Sequence, residues 1–207
     1  MKKEIIAATE DYVRKLLKKL PAYLTYHNLH HTVEVVDSVV KIADSCHLSD
    51  SCHLTDDEKE ILILAAWFHD TGFVETYKGH ERVSKQIATT FLKSQKYPGE
   101  KIKMVRRCID ATKINYQPTN ILENIIRDAD LYHLATADYF KKLASLKKEW
   151  EYVYKTKITD QSWYTKNLDF LTAHRYHTPY CQHQLKVQKQ ENVFKNLQKV
   201  ATYKCSI

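Results

Sequence analysis

Residues 61–70 read ILILAAWFHD, and the eight apolar side chains from Ile61 to Phe68 leave a helix no polar face. A helix that is apolar all round is surrounded by protein, so this segment is expected at the centre of the molecule. Upstream, Thr55 and Glu58 in TDDEKE have the spacing of a capping box and mark its start. Downstream it ends in His69-Asp70, followed by Thr71-Gly72. A carboxylate and an imidazole at the end of the most buried helix are costly there unless each has a partner. A metal ion is an efficient partner for both.

Working outward, composition favours helices throughout. Three Gly and four Pro in 207 residues leave few turn-makers, which selects a small number of long helices over many strands. The expected fold is all-α: one domain over 1–207, with a motif-bearing core at about 20–135 and covering helices at about 136–207. Hydrophobic residues at 43% and charged residues at 28% exclude a disordered or fibrous chain. The longest apolar run, eight residues, is far below the ~20 a membrane span needs. The N-terminal helix is interrupted by Glu4, Glu10, Asp11 and Arg14, which is no signal-peptide core. A soluble, cytoplasmic protein is expected.

Prolines and glycines punctuate the pattern. Pro21 closes the first amphipathic helix, Gly72 and Gly79 bracket a loop, Pro98-Gly99 form a turn, and Pro118 and Pro179 precede new helices. In the second helix Val33, Val36 and Val40 set an inward stripe that Val35, Val39 and Ile42 widen. His80 opens a helix running to about Lys96, and another spans roughly Glu100 to Thr112. Ile121, Leu122, Ile125, Ile126 and Ala129 form a further stripe, flanked by Asp128 and Asp130, and spacing alone does not say which aspartate faces inward. Residues 138–203 read as two or three more helices.

The five cysteines are scattered and odd in number, so no disulfide framework is indicated. The echo CHLSDSCHL, with Cys46-His47 and Cys52-His53, lacks the usual zinc-ligand spacing. Net charge is +7, with a lysine-rich tail that attracts anions weakly, but no arginine-rich or aromatic-interleaved patch makes nucleic acid a specific partner.

A second unusual stretch is YHNLHHTVEVV, Tyr26 to Val36, with His27, His30 and His31 gathered at a helix start. Chance crowding and a site that handles metal or phosphate are both open at this point. Together with His69-Asp70 and the Asp128/Asp130 pair, it makes a mixed N/O set suited to Zn, Mn, Fe or Mg.

The order His31, His69-Asp70, Asp130 resembles the HD-domain metal-dependent phosphohydrolase superfamily over roughly residues 20–135, and YHNLHH is similar to the YHNxxH signature opening the catalytic domain of cyclic-nucleotide phosphodiesterases. The resemblance implies an all-helical bundle with His31, His69, Asp70 and Asp130 as metal ligands. It implies that His27 donates a proton to the leaving oxygen, that Asp128 stands behind the ligands or simply at the helix end, and that His80, with Asp70, belongs to the catalytic machinery; His30 is a bystander. Many binuclear members supply further histidines before the last Asp, whereas CIDATKIN offers Lys113 and none, so one divalent ion is expected rather than two. The long C-terminal region of the cyclic-nucleotide enzymes is also lacking.

The expected function is therefore metal-dependent hydrolysis of a small-molecule phosphoester, a nucleotide or cyclic nucleotide first, with Lys78 and Lys113 holding phosphate. The rivals are a catalytically idle module that binds a nucleotide and signals, and a metal-dependent oxygenase. A homodimer is left open.

Overall fold

A computed structural model describes residues 2–46 and 53–204, and among them the chain is all-α, with no strand. The helices are α1 (Lys2–Leu17), α2 (Leu29–Ser45), α3 (Asp56–Phe68), α4 (His80–Ser94), α5 (Gly99–Ala111), α6 (Ile121–Asp130), α7 (Tyr139–Val153), α8 (Asp160–Ala173), α9 (Pro179–Gln184) and α10 (Lys186–Lys204). Short 3-10 turns occupy Thr71–Val74 and Tyr132–Ala135. Packing divides the chain into two compact units, Met1–Asp130 and Leu131–Ile207.

In the first unit α3 is the central element, touching α1, α2, α4, α5 and α6. Ile61, Leu62, Leu64, Ala65, Ala66, Trp67 and Phe68 are all buried, as an all-round apolar sequence requires. Even Glu60 is enclosed; its carboxylate accepts the Tyr97 hydroxyl at 2.7 Å, and this partner offsets the cost of burial. The helix starts where its capping box stands, with Thr55 Oγ1 accepting from the Glu58 amide and Glu58 accepting from the Thr55 amide.

The stripe of α2 differs from the one read in the sequence. The inward residues are His31, Val35, Ser38, Val39 and Ile42, while Val40 is 38% exposed and Val33 and Val36 are only half-buried. Valines at nearly every position make the phase of this helix ambiguous by hydrophobicity alone. The inward face is the one that continues from His31 at helical spacing, so the imidazole and the core valines point the same way.

Two contacts fix the helices that carry the site. Arg127 of α6 donates to the carbonyls of Ala111, Lys113 and Ile114 at 2.7–3.0 Å, which satisfies the open C-terminal end of α5 and ties α6 to it. Gly72, in the turn after α3, packs so closely on the start of α4 that a Cβ there would lie 2.0 Å from the His80 carbonyl oxygen. Its amide donates to Ser84 Oγ at 2.8 Å.

The second unit contains α7–α10, four helices where the sequence suggested two or three. The break between α9 and α10 at Leu185 has no Pro or Gly to announce it. Its core gathers Leu134, Tyr139, Leu143, Trp163 and Leu171. Pro98 and Gly99 also differ from expectation: Pro98 is the N-cap of α5 and Gly99 its first residue. The CHLSDSCHL stretch has residues 47–52 outside the described residues.

Gly72→Ala should destabilise the protein by ~1–3 kcal/mol, since backbone atoms of α4 must move to admit the methyl group. Urea unfolding measures this directly, and an unchanged midpoint would mean that α4 yields without cost.

Candidate metal centre

Helix ends converge beside the C-terminus of α3. His69 is the C-cap of α3 and Asp70 follows it; His31 lies in the first turn of α2; Asp130 is the last residue of α6; His80 is the first of α4. Asn28 caps α2, its side chain accepting from the amides of His30 and His31, so the helix start that bears His31 is held by its own sequence.

His69 is fully buried, and its Nδ1 lies 2.8 Å from the Ala66 carbonyl. A carbonyl only accepts, so Nδ1 carries the hydrogen and the neutral ring presents a bare Nε2 to the cluster. That Nε2 is 3.2 Å from Asp70 Oδ2 and 3.6 Å from Asp130 Oδ1. His31 Nε2 is 3.2 Å from Asp130 Oδ1 and 3.6 Å from Asp70 Oδ2. One ligand atom each from His31, His69 and Asp130 falls within 4.8 Å of the others. The other Asp70 oxygen, Oδ1, is 3.3 Å from His80 Nε2, and His80 Nδ1 donates to the Tyr77 carbonyl at 3.3 Å.

Two buried atoms of this cluster, His69 Nε2 and Asp70 Oδ2, make no hydrogen bond although they lie 3.2 Å apart. Buried polar atoms are almost always satisfied, so an acceptor facing an acceptor calls for a cation between or beside them. In the protein alone the cation is a proton. Burial works against a charged His69, but the Asp70 carboxylate, with Asp130 and the Ala66 carbonyl, outweighs it and pushes the imidazole up to about 9. Burial alone would raise Asp70 and Asp130, yet the neighbouring imidazoles hold Asp70 well below the usual carboxylate range and Asp130 below it too. His80 is raised, burial opposing and the Asp70 carboxylate prevailing.

The same arrangement fits a divalent ion. Two ionised carboxylates and two imidazoles offer a mixed N/O set, and the Ala66 carbonyl behind His69 orients its ring as partners of metal-bound histidines do.

The structure brings most of the sequence-derived residues together. Asp130 Oδ1 contacts both His31 and His69, and of the two aspartates that spacing left open Asp128 is the more deeply buried. His27 stands beside the cluster, its ring centroid 6.0 Å from that of His31 and 6.4 Å from that of His80. His30 points outward, 80% exposed and 3.4 Å from Glu34. The Lys113 ammonium is engaged by Asp110, a carboxylate shared with Lys85 at 2.6–2.7 Å. Lys78 lies in the turn leading into α4, its carbonyl accepting from Thr76 Oγ1 at 3.1 Å.

Aromatic residues around the imidazoles were missed. Phe73 stacks on both His27 and His80, and the Tyr26 ring lies 4.9 Å from that of His31. Nothing in the spacing separates these aromatics from ordinary core residues. The only available signal was their position within one turn of the histidines.

Residues 28–135 match the HD domain family, just over half of the chain, and the match contains His31, His69, Asp70, His80 and Asp130, while His27 stands one residue before it. Comparison with curated proteins and with solved structures found no match. The chain belongs to the HD-domain metal-dependent phosphohydrolase superfamily.

Proposed function

We propose that the protein is a metal-dependent phosphohydrolase that cleaves a phosphoester of a nucleotide or cyclic nucleotide. The observation that carries this reading is the convergence of one ligand atom each from His31, His69 and Asp130 within 4.8 Å, with Asp70 Oδ2 3.2 Å from His69 Nε2 and a further histidine alongside. One divalent ion held by His31, His69, Asp70 and Asp130 would supply Lewis acidity toward a phosphoryl oxygen and toward water.

The chain's own groups do the rest. His27, at the edge of the cluster, gives a proton to the leaving oxygen. The two oxygens of Asp70 face different partners, Oδ2 the His69 Nε2 and Oδ1 the His80 Nε2, so that His80 holds in place a carboxylate that would help to hold the ion. Lys78 holds a substrate phosphate, and Lys113 joins it by exchanging Asp110 for the substrate. The likeness of YHNLHH to the cyclic-nucleotide enzymes covers their opening motif alone and does not transfer their substrate, so a panel of nucleotides is the place to begin. The test is elemental analysis of the purified protein combined with phosphate or nucleotide release from a nucleotide panel. Nucleotide binding without turnover in the metal-loaded protein would instead favour the idle signalling module.

Asp70→Ala is expected to lose the metal while keeping its helical circular dichroism; full metal occupancy in that variant would disprove the ligand set. His27→Ala should keep the metal and lose ~10²–10⁴-fold in rate on a substrate with a poor leaving group, the usual contribution of a general acid.

A third expectation concerns protons. Without metal, His69 is protonated at pH 7 because its imidazole is held at about 9, and a ligand nitrogen must be free of that proton. Binding should therefore release about one proton at neutral pH, and affinity should climb with pH until about 9. The sign for the metal-free fold is opposite. The folded pKa lies above the ordinary 6.5, so stability from this charge is complete below 6.5 and lost as pH rises through about 9. Titration calorimetry in buffers of different ionisation enthalpy reads the release, and none at pH 7 would rule out His69 as the displaced group.

A further inference from the structure

The turn after α3 does more than link Asp70 to α4. Phe73, buried within that turn, presents its ring to two imidazoles at once: the His27 ring stacks on it at 4.4 Å and 25°, and the His80 ring at 3.9 Å and 19°. The Tyr77 ring meets the same phenyl edge-on at 5.2 Å. The turn is held by the Phe73 amide donating to the Asp70 carbonyl at 3.1 Å and by the close packing of Gly72 on the start of α4.

His27 and His80 come from segments far apart in sequence, and their rings do not stack on each other; the centroids are 6.4 Å apart and tilted by 42°. Phe73 stacks on both rings. An aromatic ring with these contacts fixes the plane of each imidazole, as offset stacking is geometrically selective and adds to the burial of the ring. A Leu or Met of similar bulk would fill the space without a ring face, leaving the plane of His80 to its bonds to Tyr77 and Asp70 and that of His27 to its edge contacts with Tyr26 and Tyr77.

We infer that Phe73 is a positioning residue for this centre, setting the plane of His27 for proton transfer and of His80 for its bond to Asp70. It touches no reacting atom. The inference rests on the phosphohydrolase reading for its kinetic consequence, but the stacking itself is observable without catalysis.

The test is Phe73→Leu, with Phe73→Met as a second variant of similar bulk and Phe73→Tyr as the conservative control, each checked by circular dichroism and metal content. Histidine ring C–H resonances, assigned in the full-length protein, give the first readout. A phenyl face shields the protons above it, so the His27 and His80 signals should move downfield in Phe73→Leu and Phe73→Met and stay in place in Phe73→Tyr. The second readout is kinetic. Loss of alignment in the two aliphatic variants should lower kcat by ~10²-fold, the cost of a small misplacement of a reacting group, while KM and bound metal change little, and Phe73→Tyr should restore kcat. Folded aliphatic variants with unmoved histidine signals overturn the inference, as does an unchanged kcat once the signals have moved. A wild-type protein that hydrolyses no phosphoester removes the function and, with it, the kinetic role of Phe73; the resonances still report whether the stacking holds.

Discussion

His69 Nε2 and Asp70 Oδ2 face each other across 3.2 Å in the buried interior, and they can do so only with a cation, a proton or a metal ion, to share. The geometry around this pair leaves little freedom. The Ala66 carbonyl fixes the His69 hydrogen on Nδ1, and consecutive placement in the chain fixes Asp70 beside it. Such a contact persists only with a positive charge to share, and the surroundings are built to hold one. His31 and Asp130 close in from α2 and α6, and the pKa directions of His69, Asp70 and Asp130 all describe a site that is anionic unless a cation enters it.

The rest of the first unit serves to keep these residues at helix ends. A helix interior commits its backbone and points its side chains along a stripe, whereas a terminus lets chain segments from different directions approach one point. Asn28 fixes the start of α2, the capping box fixes the start of α3, Arg127 anchors α6 to the end of α5, and the missing Cβ of Gly72 lets α4 come close enough for His80 to reach Asp70. The apolar girth of α3 makes this convergence stable, because a helix packed on every side cannot tilt away from the site at its end.

Much of this was legible in the sequence, for reasons that differ by residue. The centrality of α3 followed from ILILAAWF, whose lack of a polar face, in a run too short to cross a membrane, has one reading. His69 and Asp70 followed from the cost of burying them. The phase of α2 was not legible, because valine at Val33, Val35, Val36, Val39 and Val40 satisfies several stripes equally, and only the inward turn of His31 selects one. Asp130 could not be told from Asp128 by packing, since both border the apolar face of α6; only the family pattern chose Asp130, whose Oδ1 lies 3.2 Å from His31 Nε2 and 3.6 Å from His69 Nε2. Phe73 was invisible, as its role depends on two imidazoles brought to its ring by tertiary structure.

The central claim is that a divalent ion resolves the conflict between His69 and Asp70. Its most direct test is thermal unfolding of the full-length protein, with metal content measured by elemental analysis, before and after stripping with a chelator and after returning Zn, Mn, Fe or Mg. One ion per chain is predicted, with stripping lowering the midpoint and the native metal restoring it; at a free metal concentration 100-fold above Kd the stabilisation is ~2.7 kcal/mol. A protein that holds no ion, and whose midpoint neither chelator nor any of these metals moves, would contradict it.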